Sequence, residues 1–286
     1  MRNWLENEYV ILTGASGGIG KELCKLLICK YKANVIGIGR NEQKMRLLME
    51  ELGENVSRFS CRLFDVSDKS AWQDFVQELL QKGIKPMLLI NNAGAFPTFN
   101  KALNTPAETL ERIMRVNYFS IVYAVETVAP ILAPSVACKR SGKPVDLPAV
   151  VNIASSAALC SVVGTAAYSA SKSAVKGYTE VLQMEEKGKK YIGIIYPGTT
   201  ATELFRDDEH TKNSALDKIA MPADKMAKKI AKKILKKRKR AVVGWDAKLM
   251  YWTAKIMPVK GPALIAGVMK ISKSKVFTDV FDERNG

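Results

Sequence analysis

The chain has 286 residues, 47% of them hydrophobic and 25% charged, and a formal net charge of +16. This length and hydrophobic content are enough for one substantial buried core, which excludes disorder as the main state. The five cysteines form no CxxC pair and no metal-ligand spacing, so we expect no complete disulfide framework and no metal site. Because His210 is the only histidine, we expect acid-base chemistry to depend on Tyr, Lys or carboxylates.

The predicted secondary structure alternates between strands and helices. Apolar runs rich in β-branched residues predict strands at residues 9–13, 34–39, 58–63, 87–91, 149–154, 192–196 and 241–243. Helical periodicity predicts helices at residues 20–30, 43–52, 69–81, 106–132 and 168–186. This alternation is typical of a doubly wound α/β domain, with a parallel seven-stranded sheet between two layers of helices. We assign residues 1–244 to this domain, residues 245–286 to a helical extension packed on it, and residues 133–148 to an exposed loop.

A glycine-rich turn joins the first predicted strand to the first predicted helix. Glycines let the backbone approach phosphate groups, and the amides at the start of the helix attract the anion. The residues expected to contact a cofactor here are Thr13, Gly14, Ser16, Gly18, Ile19 and Gly20. Their spacing resembles the T-G-x-x-x-G-x-G motif of the short-chain dehydrogenase/reductase family, and this resemblance implies a Rossmann fold that binds a nicotinamide dinucleotide. A glycine-rich turn without a ligand is the alternative.

The end of the second predicted strand indicates which coenzyme is bound. An acidic residue there would bind the ribose 2′-hydroxyl of NAD and repel the 2′-phosphate of NADP. The chain has Arg40 at this position, and a guanidinium pairs with a phosphate through its planar fork. We therefore expect NADP(H) as cofactor. Arg40 could also be an ordinary surface arginine, and the negative charge of the nearby Glu42 does not favour NADP(H).

Two further strand ends match motifs of the family. Asp65 and Val66 follow the third strand, and the resemblance implies that they bracket the adenine ring. Asn91, Ala93 and Gly94 belong to an N-N-A-G sequence after the fourth strand, and the resemblance implies that this segment passes beside the cofactor. Considered alone, Asp65 could equally cap the next helix.

Tyr168 and Lys172 lie at positions i and i+4 of a predicted helix, so an ammonium lies close to a phenol. A nearby cation lowers the pKa of tyrosine, which makes the phenol a better proton donor near neutral pH. Ser155 precedes Tyr168 by the serine-to-tyrosine spacing of the family, and the resemblance implies that all three residues are catalytic, with Tyr168 and Lys172 also contacting the cofactor. Ser156 is an alternative to Ser155. The resemblance also implies that Asn117 holds a water beside Lys172, whereas a buried, satisfied amide is its simpler interpretation.

The segment after the sixth predicted strand resembles the P-G-x-x-x-T motif of the family. The resemblance implies that it contacts the nicotinamide end of the cofactor, and the residues concerned are Pro197, Gly198, Thr200 and Thr202. Residues 203–221 are polar and poorly periodic, which predicts a mobile lid over the substrate.

Together these motifs predict an NADPH-dependent reductase that transfers a hydride to a ketone and can run in reverse as an alcohol dehydrogenase. A non-catalytic protein that senses NADPH is the alternative. The C-terminal segment favours a lipophilic substrate of the steroid, 3-oxoacyl or keto-sphingoid type, because it is rich in large apolar residues, although these could instead seal the core or a subunit interface. They are Trp245, Leu249, Met250, Tyr251, Trp252, Ile256 and Met257.

A strongly basic segment at residues 223–240 is the last feature. Met226, Ile230 and Ile234 repeat at helical spacing beneath a lysine-rich face, which predicts a solvated helix packed on the sheet. Peripheral contact with anionic lipid is the main alternative, and nucleic acid is not expected because no base-reading module accompanies the charge. We expect a cytoplasmic protein that is soluble or peripheral at a membrane surface, since the sequence has no signal-peptide pattern and no apolar run of membrane-spanning length. We also expect a homo-oligomer, either a dimer or a tetramer.

Overall fold

Seven parallel β-strands form one sheet in the computed structural model, which describes residues 3–134, 146–205, 219–271 and 277–281. These strands are β1 (Tyr9–Thr13), β2 (Asn34–Gly39), β3 (Phe59–Leu63), β4 (Pro86–Asn91), β5 (Ala149–Ile153), β6 (Tyr191–Pro197) and β9 (Arg240–Val243). Their spatial order is β3-β2-β1-β4-β5-β6-β9, so the order reverses between β1 and β4. The predicted doubly wound Rossmann fold is confirmed, and in such sheets ligands bind at the point of reversal.

The strands were predictable because both faces of the sheet are buried. Every residue of β4, β5 and β6 is buried, which gives the continuous apolar runs expected of a parallel sheet. The predicted bounds agree with β1 and β2, differ by one residue at one end for β3, β4, β5 and β9, and differ by one residue at both ends for β6. A second, two-stranded parallel pair, β7 (Thr200–Ala201) with β8 (Met221–Pro222), was not predicted, since two residues are too few for a periodic signal.

Helices cover both faces of the sheet. In chain order they are α1 (Gly18–Lys25), α2 (Glu42–Leu52), α3 (Lys69–Gln81), α4 (Ala107–Met114), α5 (Ser120–Val128), α6 (Ala166–Glu185), α7 (Ala223–Leu235), α8 (Trp245–Ile256), α9 (Lys260–Ile271) and α10 (Thr278–Phe281). One core cluster joins the sheet to α1, α2 and α7 through residues such as Leu23, Met45 and Met226. The other joins it to α3, α5 and α6 through residues such as Trp72, Ile121 and Val175.

The helix predicted over residues 106–132 is present as one continuous helical segment over residues 107–131, but its hydrogen-bond pattern changes along its length. Helices α4 and α5 are separated by a π-helical turn at Arg115–Phe119, and a 3₁₀ turn at Ala129–Ile131 ends the segment. Asn117 lies in the π turn and is fully buried. Such turns often occur at functional sites, and apolar periodicity alone does not reveal them.

The basic helix packs on the sheet, as expected, but it ends at Leu235 rather than at residue 240. Met226, Ile230 and Ile234 are completely buried, and its lysines lie on the opposite, solvent-exposed face. Any contact between α7 and a lipid surface would therefore involve lysine side chains alone.

Some predictions fall on residues outside the described ranges. The predicted loop at 133–148 and the predicted lid at 203–221 lie mostly there, as do Cys138 and His210. The division of the chain at residue 244 stays a prediction. In the described ranges, no helix combines the length and the hydropathy that crossing a bilayer requires.

Candidate active site

A cleft of about 680 Å³ runs along the carboxyl ends of the central strands. Most residues predicted for the site line it, namely Gly14, Ser16, Gly18, Ile19, Arg40, Asp65, Val66, Ala93, Gly94, Ser155, Tyr168, Lys172, Pro197, Gly198, Thr200 and Thr202. The predicted residues Thr13, Gly20, Asn91 and Asn117 do not line the cleft. The glycine turn and Arg40 lie toward one end, and the tyrosine, lysine and serine lie toward the other.

The glycine turn brings the start of α1 to the cleft. Gly18 is the first residue of α1 and has a φ of +49°, a left-handed conformation that favours glycine. A Cβ atom at Gly18 would lie 2.9 Å from the Cγ2 atom of Thr202, so the turn also packs against the segment after β6. The first amides of α1 have no partner within the helix and can bind an anion in the cleft.

Thr13 and Asn91 hold the strand ends together instead of pointing into the cleft. The Thr13 hydroxyl accepts hydrogen bonds from the amides of Asn92 and Ala93, both at 2.9 Å. The Asn91 side chain donates to the Asn152 side chain at 2.8 Å. Asn92 belongs to the segment that the resemblance places beside the cofactor, although it was not named as a site residue. It lines the cleft and donates to the Thr13 carbonyl at 3.0 Å.

Arg40 and Asp65 form an ion pair at 3.0 Å across the ends of β2 and β3. Asp65 also accepts hydrogen bonds from the amide and hydroxyl of Ser67. Burial acts to raise the pKa of Asp65, but these hydrogen bonds and the Arg40 charge act in the opposite direction and keep the pKa below its ordinary value. Asp65 is not the cap of α3, because Asp68 takes that position. Lys44 also lines this end of the cleft, and sequence reasoning missed it although it lies only four residues after Arg40, in the first turn of α2.

Tyr168 and Lys172 lie side by side on α6, 7% and 4% exposed respectively. The Lys172 Nζ atom lies 5.8 Å from the centre of the Tyr168 ring and donates to the Ile153 carbonyl at 3.2 Å. Burial lowers the pKa of Lys172 to about 8. Burial also raises the pKa of Tyr168, while a hydrogen bond with Ser155 acts in the opposite direction. The structure thus brings the predicted serine, tyrosine and lysine together.

Asn117 lies behind the cleft, where its side chain is satisfied by protein groups. Its Oδ1 atom accepts from the Ala95 amide at 2.7 Å, and its Nδ2 atom donates to the Ala95 carbonyl at 2.9 Å and to the Ser171 hydroxyl at 3.0 Å. A Cβ atom at Gly94 would lie 3.3 Å from Asn117 Oδ1 and 3.4 Å from Lys172 Nζ. Gly94 therefore keeps the space between these two side chains open, and the water predicted there stays a prediction.

The turn after β6 is held in place by a residue that sequence reasoning missed. Asp246, in the first turn of α8, is buried and accepts a hydrogen bond from the Thr199 amide. Its carboxylate occupies the position that a Cβ atom at Gly198 would need. An acidic residue in a first helical turn is common, so no local signal links Asp246 to this turn.

An apolar wall encloses the cleft around Tyr168. The Phe96 ring packs edge to face on the Tyr168 ring at 5.0 Å, Phe99 packs on Phe96 at 5.0 Å, and Phe277 packs on Phe99 at 5.1 Å. Helices α8 and α9 complete the wall with Trp245, Leu249, Met250, Ile265, Val268 and Met269. Of the C-terminal apolar residues singled out in the sequence, Trp252, Ile256 and Met257 are exposed and do not line the cleft.

Comparison with protein families gives a match over most of the chain. A family model described as short chain dehydrogenase matches residues 8–213. Among curated proteins, 3-ketodihydrosphingosine reductase of Bos taurus is 30% identical over 214 residues, which are 73% of this chain and 61% of that protein. The chain thus spans less than two thirds of that relative. Benzil reductase ((S)-benzoin forming) of Saccharomyces cerevisiae is 29% identical, over 71% of this chain and 75% of that protein.

Solved structures share the fold. The oxidoreductase yciK of E. coli aligns with a TM-score of 0.72 and 24% identity, covering 85% of this chain and 97% of that one. The closed form of a serine dehydrogenase complexed with NADP⁺ aligns with a TM-score of 0.65 and 23% identity, covering 78% and 87% respectively.

Proposed function

This chain belongs to the short-chain dehydrogenase family, and from that premise we propose that it reduces the ketone of a lipophilic substrate with NADPH. One observation carries the proposal. Tyr168, Lys172 and Ser155 converge in the apolar part of a cleft that also contains the glycine turn and Arg40. A cofactor and an apolar carbonyl compound could therefore lie end to end in one cavity.

Residues along the cleft would hold the successive parts of NADPH. The amides at the start of α1 would hold the pyrophosphate, and the left-handed conformation of Gly18 begins this helix at the cleft. Arg40 would pair with the 2′-phosphate, since its ion pair with Asp65 uses one of the guanidinium nitrogens and leaves other donors available. Lys172 and the turn at 197–202 would contact the nicotinamide end. When bound, NADPH supplies the hydride that reduces the carbonyl carbon.

The protein's own groups would supply the proton. Tyr168 would donate its phenolic proton to the carbonyl oxygen, while Ser155 donates a hydrogen bond that orients the same oxygen. The ammonium of Lys172 would stabilise the phenolate that remains. The product is the alcohol, and the reverse sequence returns the ketone.

The apolar wall supports a lipophilic substrate. Phe96, Phe99 and residues of α8 and α9 surround the space next to Tyr168, and a ligand with a hydrocarbon body would be desolvated there. Two relatives are named as reductases of 3-ketodihydrosphingosine and of benzil. We propose steroid ketones, 3-oxoacyl thioesters and keto-sphingoid bases as the substrate classes.

NADPH consumption with a panel of these ketones tests the proposal. Within a 3-oxoacyl or keto-sphingoid series, kcat/KM is expected to fall by about fourfold for each methylene removed, because each buried CH₂ contributes about 0.8 kcal/mol. A small polar ketone serves as the control. A preference for that control would overturn the substrate class, and NADPH binding without consumption by any ketone would instead favour the NADPH-sensing alternative.

The rate of ketone reduction is expected to fall above about pH 8, the pKa to which burial lowers Lys172. The ammonium is present below this pH and is lost as the pH rises, and with it the stabilisation of the phenolate. The phenol of Tyr168 remains protonated in that range because its own pKa is raised. A pH profile of kcat measures the effect, with a slope of about tenfold per pH unit on the alkaline side.

A variant on the same helix provides the control for this profile. Lys176 follows Lys172 by one turn but is paired with Glu180 at 3.0 Å and does not line the cleft. Lys176→Met should leave the profile unchanged, whereas Lys172→Met should remove nearly all activity. A flat wild-type profile through the alkaline range would contradict the role of Lys172.

A further inference from the structure

Helices α8 and α9 present large apolar side chains to solvent. Seven of them are at least half exposed. Trp245 (58%) begins α8, and the other six together define what we call the C-terminal apolar face: Leu249 (53%), Trp252 (52%), Ile256 (72%), Leu264 (53%), Val268 (61%) and Ile271 (80%). Such a concentration of exposed apolar surface in one short segment usually marks a binding site.

The spacing of these residues places them on one stripe of each helix. On α8 they follow one another at three- and four-residue intervals, and the same holds on α9. The helices meet closely at Gly261, where a Cβ atom would lie 2.8 Å from the Thr253 carbonyl oxygen. The face is therefore a preformed surface of two packed helices.

The exposed charged residues between 245 and 271 have one sign. Lys248, Lys255 and Lys260 are exposed, and the Lys255 ammonium lies 5.1 Å from the centre of the Trp252 ring. The only acidic residue between 245 and 271 is Asp246, which is buried and bonded to the Thr199 amide. Tryptophan and lysine at the edge of an apolar helical face are the residues that favour the interface of a membrane with anionic headgroups.

We propose that the C-terminal apolar face docks on the surface of an anionic lipid bilayer. A second copy of the chain is a poorer occupant, because a two-fold interface would bring the same lysines of both copies together. Helix α7 is a separate basic surface, and it offers no apolar residues for insertion because its apolar stripe is buried. The lipid contact that the sequence suggested for residues 223–240 is thereby assigned to α8 and α9.

The docked face would open the cleft toward the lipid. Leu249 and Val268 belong to the face and also line the cleft. A lipophilic ketone could then reach Tyr168 from the bilayer without crossing water. This consequence rests on the proposed function, whereas the docking does not.

Sedimentation with vesicles tests the docking without any measurement of activity. We expect the wild-type chain to bind vesicles of equimolar phosphatidylcholine and phosphatidylglycerol, and to bind phosphatidylcholine vesicles much more weakly. Trp252→Glu with Ile256→Glu should reduce binding by at least about tenfold, because two large side chains no longer enter the apolar layer. Neither residue lines the cleft. Leu264→Glu with Ile271→Glu on α9 is the second variant and should have the same effect.

Matched variants separate this surface from others. Leu80→Glu with Leu103→Glu makes the same change at two exposed leucines elsewhere and should leave binding within about twofold of wild type, after correction for its small charge effect. Lys229→Gln with Lys232→Gln weakens the basic face of α7 and should have a similarly small effect. Vesicles with brominated acyl chains give a direct readout, because Trp245 and Trp252 are more than half exposed whereas Trp4 and Trp72 are buried. We expect partial quenching in the wild type and less in the Trp252 variant.

Three results would overturn the proposal. The first is wild-type binding that is absent or equal on neutral and anionic vesicles. The second is loss of binding in the α7 lysine variant with full binding in the α8 and α9 variants. The third is a lower mass of the α8 and α9 variants by light scattering with unchanged vesicle binding, which would identify a second copy as the occupant.

Discussion

Replacing Tyr168 with phenylalanine is expected to lower kcat for ketone reduction by about 10²–10⁴-fold, the usual contribution of general acid catalysis. The variant keeps the aromatic ring that packs on Phe96 at 5.0 Å and removes only the hydroxyl. That hydroxyl is the proposed proton donor and the partner of Ser155. Steady-state kinetics with a ketone from the active class measure the loss, and fluorescence titration measures NADPH affinity, which should change little.

Tyr178→Phe is the matched control for this prediction. Tyr178 lies on the same helix, packs against Tyr118 and does not line the cleft, so its hydroxyl has no proposed part in the reaction. Its kcat should equal that of the wild type. If Tyr168→Phe retained most of the activity, another group would have to be the proton donor, and a strong loss of NADPH affinity would indicate a structural role instead.

Much of the fold was predictable because its signals are local. Strands β4, β5 and β6 are buried along their whole length and form nearly continuous apolar runs, and the glycine and asparagine motifs lie at the ends of strands. The pairing of Tyr168 with Lys172 depends on helical spacing alone. The meeting of Ser155 with both was predicted through the resemblance to a family, not through spacing.

The parts that could not be predicted depend on contacts between distant segments. Asp246 supports the turn at Thr199, and Phe277 packs on Phe99, and neither pair leaves a periodic pattern in the sequence. The Asn91 side chain was expected at the cofactor, but it bonds to Asn152, its register partner on β5, because paired residues of neighbouring parallel strands lie on the same face of the sheet.

The orientation of the apolar residues in the C-terminal segment could not be predicted either. Its apolar residues were evident in the sequence, but composition does not say which of them face inward. In the structure Met250 lines the cleft, whereas Trp252 and Ile256 face solvent. Helix α7 was easier, since its apolar and basic residues separate cleanly onto two faces.

Replacing Arg40 with aspartate is expected to lower kcat/KM for NADPH by about a hundredfold or more and to raise the relative use of NADH. Hydrogen bonds to charged groups contribute about 1.5–3 kcal/mol each, so the loss of the guanidinium alone lowers kcat/KM by more than about tenfold. Repulsion between the new carboxylate and the 2′-phosphate lowers kcat/KM further. The effect should be larger than usual here because Asp65 lies 3.0 Å from Arg40 and would add its own negative charge once unpaired. Kinetics with both coenzymes at a saturating ketone concentration give the ratio.

Two further variants show which part of the change matters. Arg40→Gln removes the positive charge without adding a negative one, so its loss with NADPH should be smaller, about tenfold. Arg46→Asp makes the same charge change on α2 at a side chain that is 72% exposed and does not line the cleft, and its coenzyme preference should equal that of the wild type. An unchanged coenzyme preference in Arg40→Asp would mean that Arg40 does not select the coenzyme, and Lys44, which also lines this part of the cleft, would be the next cation to substitute. Equal losses in Arg40→Asp and Arg46→Asp would indicate a general effect of net charge.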